Sequence, residues 1–290
     1  MTLSIDNRYL RKTIEKAVRD LPALPAVVNR VLIELEKPST GAAVLERLIS
    51  TDQALTMKVL RVVNSAYYGL PGQVSSLGQA IVILGQQQIR NLLLSVGAIS
   101  NLQPRTARQR ETLREFWKHS FSTATVTQTL VKMKGLSAKD QEVAFVGGLL
   151  HDIGRLFLFV NFTEVYDDLL AYASERDIVV EEAEAMFLGM THGEVGEEMA
   201  RTWRLPEVLC NLIAHHEGPF QAGADPLEMI VHYADNLTKY LYYPPETHHL
   251  VKVDPLVQDW LALSEEDVES IKRSVEERMN EALDLFGIAA

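Results

Sequence analysis

Apolar residues recur at intervals of three and four through almost the whole of this chain, and no segment alternates in the manner of a strand. That period turns one face of each segment inward and predicts an all-α fold of helices packed on helices. Leu24, Val27, Val28, Val31, Leu32 and Leu35 make one stripe, Leu45, Leu48 and Ile49 a second, and Leu55, Val59, Leu60 and Val63 a third. Lys37 to Gly41 brings Pro, Ser, Thr and Gly together and separates the first stripe from the second. Ser75 and Ser76 are candidate N-caps for the helix carrying Ala80, Ile81 and Leu84, and Gly85 is placed to end it.

The polar stretch from Asn101 to Arg110, with Pro104 inside it, marks a boundary between two packed helical subdomains, residues 1–105 and 106–290. Beyond it, helices are read at about 111–134, 139–159, 162–175, 179–188, 192–203, 206–216, 226–242 and 265–286.

Composition narrows the function classes. Apolar residues make up 47% of the 290, which supplies a core and argues against global disorder. Acids outnumber bases 39 to 28, so the surface repels phosphate backbones and long nucleic acid is not an expected partner. A small nucleotide is still compatible, because a bound metal supplies local positive charge. Cys210 is the single cysteine, so no intramolecular disulfide forms, in keeping with a reducing cytoplasmic setting. No basic start runs into an early apolar stretch, so a signal peptide is not expected. Val143 to Val160 is apolar but is interrupted by His151, Asp152 and Arg155, which reads as a buried helix rather than a membrane span.

The eight histidines carry the chemical information. His151 and Asp152 lie in Gly-Gly-Leu-Leu-His-Asp-Ile-Gly-Arg-Leu, and burying both costs free energy unless both are satisfied. A hydrogen bond between them is the simpler account of an isolated pair; a metal ion satisfies both at once. The pair is not isolated. Glu115 and His119 share a helix face, His192 opens a helix, His215 and His216 close another, and Asp235 falls mid-helix. Each has an ordinary reading of its own: packing, capping, exposure at a helix end, pairing with a base. Together they form a set of imidazoles and carboxylates over five helices, suited to divalent transition ions, with Asp152 as the carboxylate that bridges two of them. His232, on a polar face with Glu228 and Lys239, and His248 and His249, after Pro244-Pro245, are not expected to be ligands.

These residues resemble the HD superfamily of metal-dependent phosphohydrolases. Leu21-Pro22-Ala23-Leu24-Pro25, Ile49-Ser50-Thr51-Asp52, Lys58 to Tyr68 with its Asn64-Ser65-Ala66, and Ala80 to Gly85 narrow the resemblance to the HDOD family, over about residues 20–242. It implies a bacterial signalling role, in a family whose members often lack the HD ligands. Here the positions are filled, similarly to HD-GYP cyclic-di-GMP phosphodiesterases. By motif, His119, His151, Asp152, His192, His215, His216 and Asp235 match ligand positions for two ions, iron or manganese with zinc or nickel as alternatives, and Glu115 matches a position that helps hold an additional ion. Gly218-Pro219-Phe220 follows the double histidine where that group has Gly-Tyr-Pro, and Arg155 stands where it has lysine, so little or no hydrolysis of cyclic-di-GMP is expected.

Two functions compete. In one, the chain is a binding and output module acting on a regulatory protein partner, with the metal structural or sensory; family habit puts this first. In the other, it is a phosphohydrolase or phosphodiesterase, with Asp152 at the catalytic centre and Arg155 steadying a phosphate. Residues 1–105 contain no histidine or cysteine, so recognition rather than chemistry is expected there, with Tyr67 and Tyr68 as contact candidates.

Overall fold

The computed structural model describes residues 7–37, 40–64, 73–100, 102 and 104–285, and among them no strand occurs. The helices are α1 (Asn7–Arg19), α2 (Ala26–Leu35), α3 (Ala42–Ile49), α4 (Gln53–Val63), α5 (Leu77–Leu84), α6 (Gln86–Ser100), α7 (Ala107–Met133), α8 (Ala138–Leu150), α9 (Ile153–Asn161), α10 (Thr163–Arg176), α11 (Val180–Leu188), α12 (His192–Thr202), α13 (Glu207–His215), α14 (Pro226–Tyr242), α15 (Pro255–Leu261) and α16 (Glu265–Leu285). A short 3-10 turn, Pro245–Leu250, follows α14 and contains His248 and His249. The segment with Tyr67 and Tyr68 lies outside the described residues.

Local chemistry sets the boundaries. Ser76 accepts from the Gln79 backbone and starts α5; Gly85, at φ 82°, ends it in a conformation that glycine tolerates. α7 begins several residues before its apolar pattern does, because Thr106 and Gln109 close a reciprocal capping box.

The expected helix over 139–159 is two helices that break at His151-Asp152. Asp152 sits at φ −92°, ψ 12°, in the N-cap place of α9, yet its side chain makes no capping bond. The break brings α9 hard against α12: a Cβ on Gly154 would meet the His192 carbonyl at 2.1 Å. Gly148 plays the same part toward α7, where a Cβ would lie 2.8 Å from the Ala124 Cα. The stretch Ala138–Asn161 has the length and hydropathy of a membrane span, but 89% of its apolar window is buried inside the fold.

Helices α7, α8, α9, α12, α13 and α14 pack on one another around one centre. The earlier helices α2 to α6 pack chiefly among themselves, with α6 leaning on α8. α1, although first in sequence, packs on α11 and α12, where Arg11 donates to the Gly189 carbonyl at 2.7 Å. Trp203 reaches back to the Pro22 carbonyl at 3.1 Å, and Gln88 to Glu142 at 2.8 Å. The buried apolar side chains of both regions form one continuous core.

Candidate metal centre

Five helices each deliver a ligand-type side chain to the same buried point. His119 comes from α7, His151 and Asp152 from the α8–α9 break, His192 from the first position of α12, His216 from the residue after α13, and Asp235 from the middle of α14. All six are buried.

Asp152 stands at the centre, and its two oxygens face opposite ways. Oδ2 lies 3.7 Å from Nε2 of His119 and 3.7 Å from Nε2 of His151. Those imidazoles lie 2.9 and 3.4 Å from Oδ1 of Asp235. Oδ1 of Asp152 lies 3.1 Å from Nε2 of His192 and 3.6 Å from Nε2 of His216. Glu217 closes that second group, its Oε1 3.4 Å from His216 and 3.7 Å from His192. Two donor sets therefore share one carboxylate.

Hydrogen bonds on the outer side of His151, His216 and His192 fix how these imidazoles face the centre. Nδ1 of His151 meets the Gly148 carbonyl at 2.8 Å, and Nδ1 of His216 meets the Ile213 carbonyl at 2.8 Å. A carbonyl oxygen only accepts, so both Nδ1 atoms carry a hydrogen, and each ring turns its Nε2 to the centre. His192 is fixed by Glu184, which receives its Nδ1 at 2.8 Å and its backbone N–H at 2.8 Å. Glu184 is held in turn by the Tyr166 hydroxyl at 2.6 Å. Such outer partners orient metal-binding imidazoles. The Nε2 atoms approach within 3.2 Å in each pair, His119–His151 and His192–His216. Ring nitrogens and buried carboxylates this close to one another are stable only with protons or a cation between them. The residues therefore form groups of imidazole and carboxylate donors that could hold metal.

The same field shifts the titrations. Burial pushes the Asp152 carboxyl up, but the electrostatic influence of the neighbouring His151 imidazole and the hydrogen bonds of His192 and His216 outweigh it and hold it well below the usual range. Burial also works against protonating His216, yet Asp152 and Glu217 lift it to about 9. His192 is raised well above its ordinary value against the same burial, through Glu184 and Asp152. In His119 burial wins, and the imidazole is lowered.

Two of the expected ligands lie apart from these six. His215 does not join the centre: its side chain is 56% exposed and its Nδ1 lies 3.1 Å from Glu228. Successive residues near a helix end point about 100° apart, so only one of His215 and His216 can face inward. Glu115 is 65% exposed, pairs with Lys118 at 3.6 Å, and sits at the rim, one turn above His119. His232 remains outside the ligand set, but as a buried structural group rather than on a polar face: its Nδ1 donates to the His216 carbonyl at 2.8 Å and its Nε2 accepts from the Asp254 N–H at 2.9 Å. Phe220, in the segment after the double histidine, packs its ring on His232, with centroids 5.0 Å apart.

Sequence reasoning did not assign Glu184, Glu217 and Lys239. Lys239 is buried with its Nζ 2.6 Å from Asp235 Oδ2 and 3.1 Å from Glu217, joining one carboxylate from each donor set. Its spacing of four from Asp235 on one helix was the available signal. Glu217 directly follows His216; Glu184 carries no local signal, because its partner His192 comes from the next helix.

A cavity of about 360 Å³ opens onto His119 and Asp152. Arg155, Phe159 and Tyr243 form part of its wall, and Arg108 and Lys118 add positive charge nearer its mouth. Arg155 Nη1 lies 3.7 Å from Asp152 Oδ2.

Comparison with known proteins places this geometry. The profile of the HDOD domain family matches residues 21–219. An uncharacterized protein of Treponema pallidum (strain Nichols) is 29% identical over 234 residues, 80% of this chain and 45% of that protein, so the chain spans about half the length of this curated relative. The fold is shared with an HDOD domain protein of unknown function from Geobacter sulfurreducens, at TM-score 0.71 and 23% identity over 96% of this chain and 97% of the other. It is shared too with a candidate phosphohydrolase from Shewanella amazonensis, at TM-score 0.72 and 21% identity over 95% and 98%.

Proposed function

The chain belongs to the HDOD family, and from that premise we propose that its HD-like part is a metal-dependent hydrolase of phosphate esters, joined to a helical output region. The observation that carries this reading is Asp152, one buried carboxylate whose two oxygens serve two separate imidazole pairs beneath an open cavity. His119, His151 and Asp235, with Asp152, would hold one ion; His192, His216 and Glu217, with the same Asp152, would hold the other. Iron or manganese suits this mixture of nitrogen and oxygen donors. When bound, such a pair polarises phosphoryl oxygens and lowers the pKa of bound water.

The chain's own residues supply the rest. Arg155 presents a guanidinium to a phosphate in the cavity without leaving the neighbourhood of Asp152. Glu184 fixes the tautomer and the angle of His192. Lys239 holds Asp235 and Glu217 in place and offsets their charge when the ions are absent. The apolar and aromatic walls suit an organic group such as a nucleoside.

A second reading, a regulatory module that binds a protein partner, is favoured by large apolar side chains left exposed on the early helices: Ile33 on α2, Met57 on α4 and Val82 on α5. One experiment separates the two. Purified protein loaded with iron or manganese is offered 4-nitrophenyl phosphate, bis(4-nitrophenyl) phosphate, nucleotides and cyclic dinucleotides. Turnover that is lost in Asp152→Asn supports the hydrolase. Two bound equivalents of metal with no turnover of any ester would leave the binding module.

A further inference from the structure

The donors around His192 extend to a residue outside those already named. Glu181 lies in the first turn of α11, three residues before Glu184, so the two share a face of that helix. Glu184 holds Nδ1 of His192 at 2.8 Å. Glu181 approaches the same imidazole: one of its carboxylate oxygens, a His192 ring nitrogen and a Glu217 oxygen all lie within 4.8 Å of one another. In this group the imidazole is buried and both carboxylates are half-buried, so its open side is the carboxylate side. Lys239 bonds to Glu217 and Asp235 at 3.1 and 2.6 Å, which already sets two carboxylates against one ammonium, and Glu181 adds a third. A surplus of carboxylates beside a buried imidazole is donor chemistry for a divalent cation.

Glu181 and Lys239 also line a second cavity, of about 220 Å³. It lies between the end of α10, the start of α11 and the 3-10 turn after α14, with Ile178, Val180 and Val251 among its walls and the exposed Ser174 on its solvent side. Among the described residues, Glu181 is the one member of the donor groups that lines it, whereas His119 and Asp152 line the larger cavity. We propose that Glu181 is a ligand of the second ion, and that this smaller cavity is the path by which that ion enters and leaves. A metal site needs an entry path, and His192 and His216 are both fully buried. Glu181 supplies the connection, because it belongs both to the cavity wall and to the group around His192. The two ions then load independently, the second without crossing the space over His119 and Asp152 where a substrate would sit.

This inference rests on the two-ion part of the proposed function and not on hydrolysis. Cobalt(II) is titrated into metal-free protein and followed by visible absorption, with chelator competition for affinity and stopped-flow mixing for the rate of uptake. His119→Ala, which weakens the first position, identifies the signal of the second. Glu181→Gln and Glu181→Ala are expected to weaken the second equivalent about tenfold or more, the least that loss even of an outer partner typically costs. They should also change its cobalt spectrum and leave the first equivalent as in the parent. Ser174→Trp and Thr247→Trp place an indole in the smaller cavity from two different elements, so one variant that misfolds does not remove the test. Both should slow uptake and release of the second ion together and leave its affinity unchanged. Parent affinities in folded Glu181 variants overturn the ligand assignment. Weaker binding with an unchanged spectrum makes Glu181 a counter-charge only and overturns it as well. Uptake unmoved by both folded tryptophan variants overturns the path. A parent that takes up fewer than two equivalents contradicts the two-ion reading itself, and this inference falls with it.

Discussion

The two ends of this fold bury different things. In α2 to α6 the interior is almost wholly apolar: Val28, Val31, Leu45, Ile49, Val59 and Leu93 are buried, and the buried polar groups among the described residues there are neutral, Thr40, Asn91 and Ser95. Around α7 to α14 the interior also holds His119, His151, Asp152, Glu184, His192, His216 and Asp235. An apolar core is stabilised by burial alone. A core of converging imidazoles and carboxylates is stable only with protons or metal ions among them, so its stability is tied to what it binds. The contrast places the candidate metal-binding groups in the second region.

The largest effect that would sharpen this contrast is expected from Asp152→Ala. Removal of the shared carboxylate should empty both positions, whereas Glu115→Ala, at the exposed rim, should leave metal content near that of the parent. Elemental analysis checks this, and equal losses would break the bridging assignment. Leu45→Ala, in the apolar region, should cost about 2–5 kcal/mol of stability and leave the metal content of the folded protein unchanged. If metal is lost in proportion to stability, the two regions are not distinct in the way argued.

Glu184→Gln keeps a similar shape but weakens the hold on His192. Loss of such an outer partner typically costs about 10–100-fold in metal affinity, and competition with a chelator measures it.

The pH dependence follows from the raised imidazoles. His216 moves from its ordinary value of 6.5 to about 9 in the folded, metal-free protein. A raised folded value means stability that is complete below 6.5 and is lost as pH rises through about 9. Thermal melts of the metal-free protein should therefore fall across that window. Metal affinity should rise over the same window, because the ion displaces the proton. A metal-free melt that is flat from 6.5 to 9 would mean that no proton stands in for the ion. The smallest effect is expected from Val82→Ser on the exposed face of α5: a stability change within about 0.5 kcal/mol, no change in metal, and weaker capture of a protein partner if the surface is used.

The sequence made the helices legible because each carries a three-and-four apolar rhythm, and Ser76, Thr106 and Gly85 end or begin them by local chemistry. It also exposed His119, His151, Asp152, His192, His216 and Asp235, since polar ligands inside apolar segments are conspicuous. The break at His151-Asp152 was not legible, because it arises from the contact of Gly154 with α12, which no local pattern encodes. The outward turn of His215 was not legible for a related reason: adjacent histidines look equivalent in sequence, and only the packing of α13 decides which one turns inward. Lys239 read as a polar-face residue because its burial depends on Glu217, twenty-two positions away.

The most direct test is anomalous diffraction from crystals of the metal-loaded protein at the absorption edge of the bound metal. The account predicts two peaks on either side of the Asp152 carboxylate, roughly 3.5–4 Å apart as in two-metal sites generally, one against His119, His151 and Asp235 and the other against His192, His216 and Glu217. A single peak, or density centred on His215 or Glu115 with Asp152 uncoordinated, would contradict it.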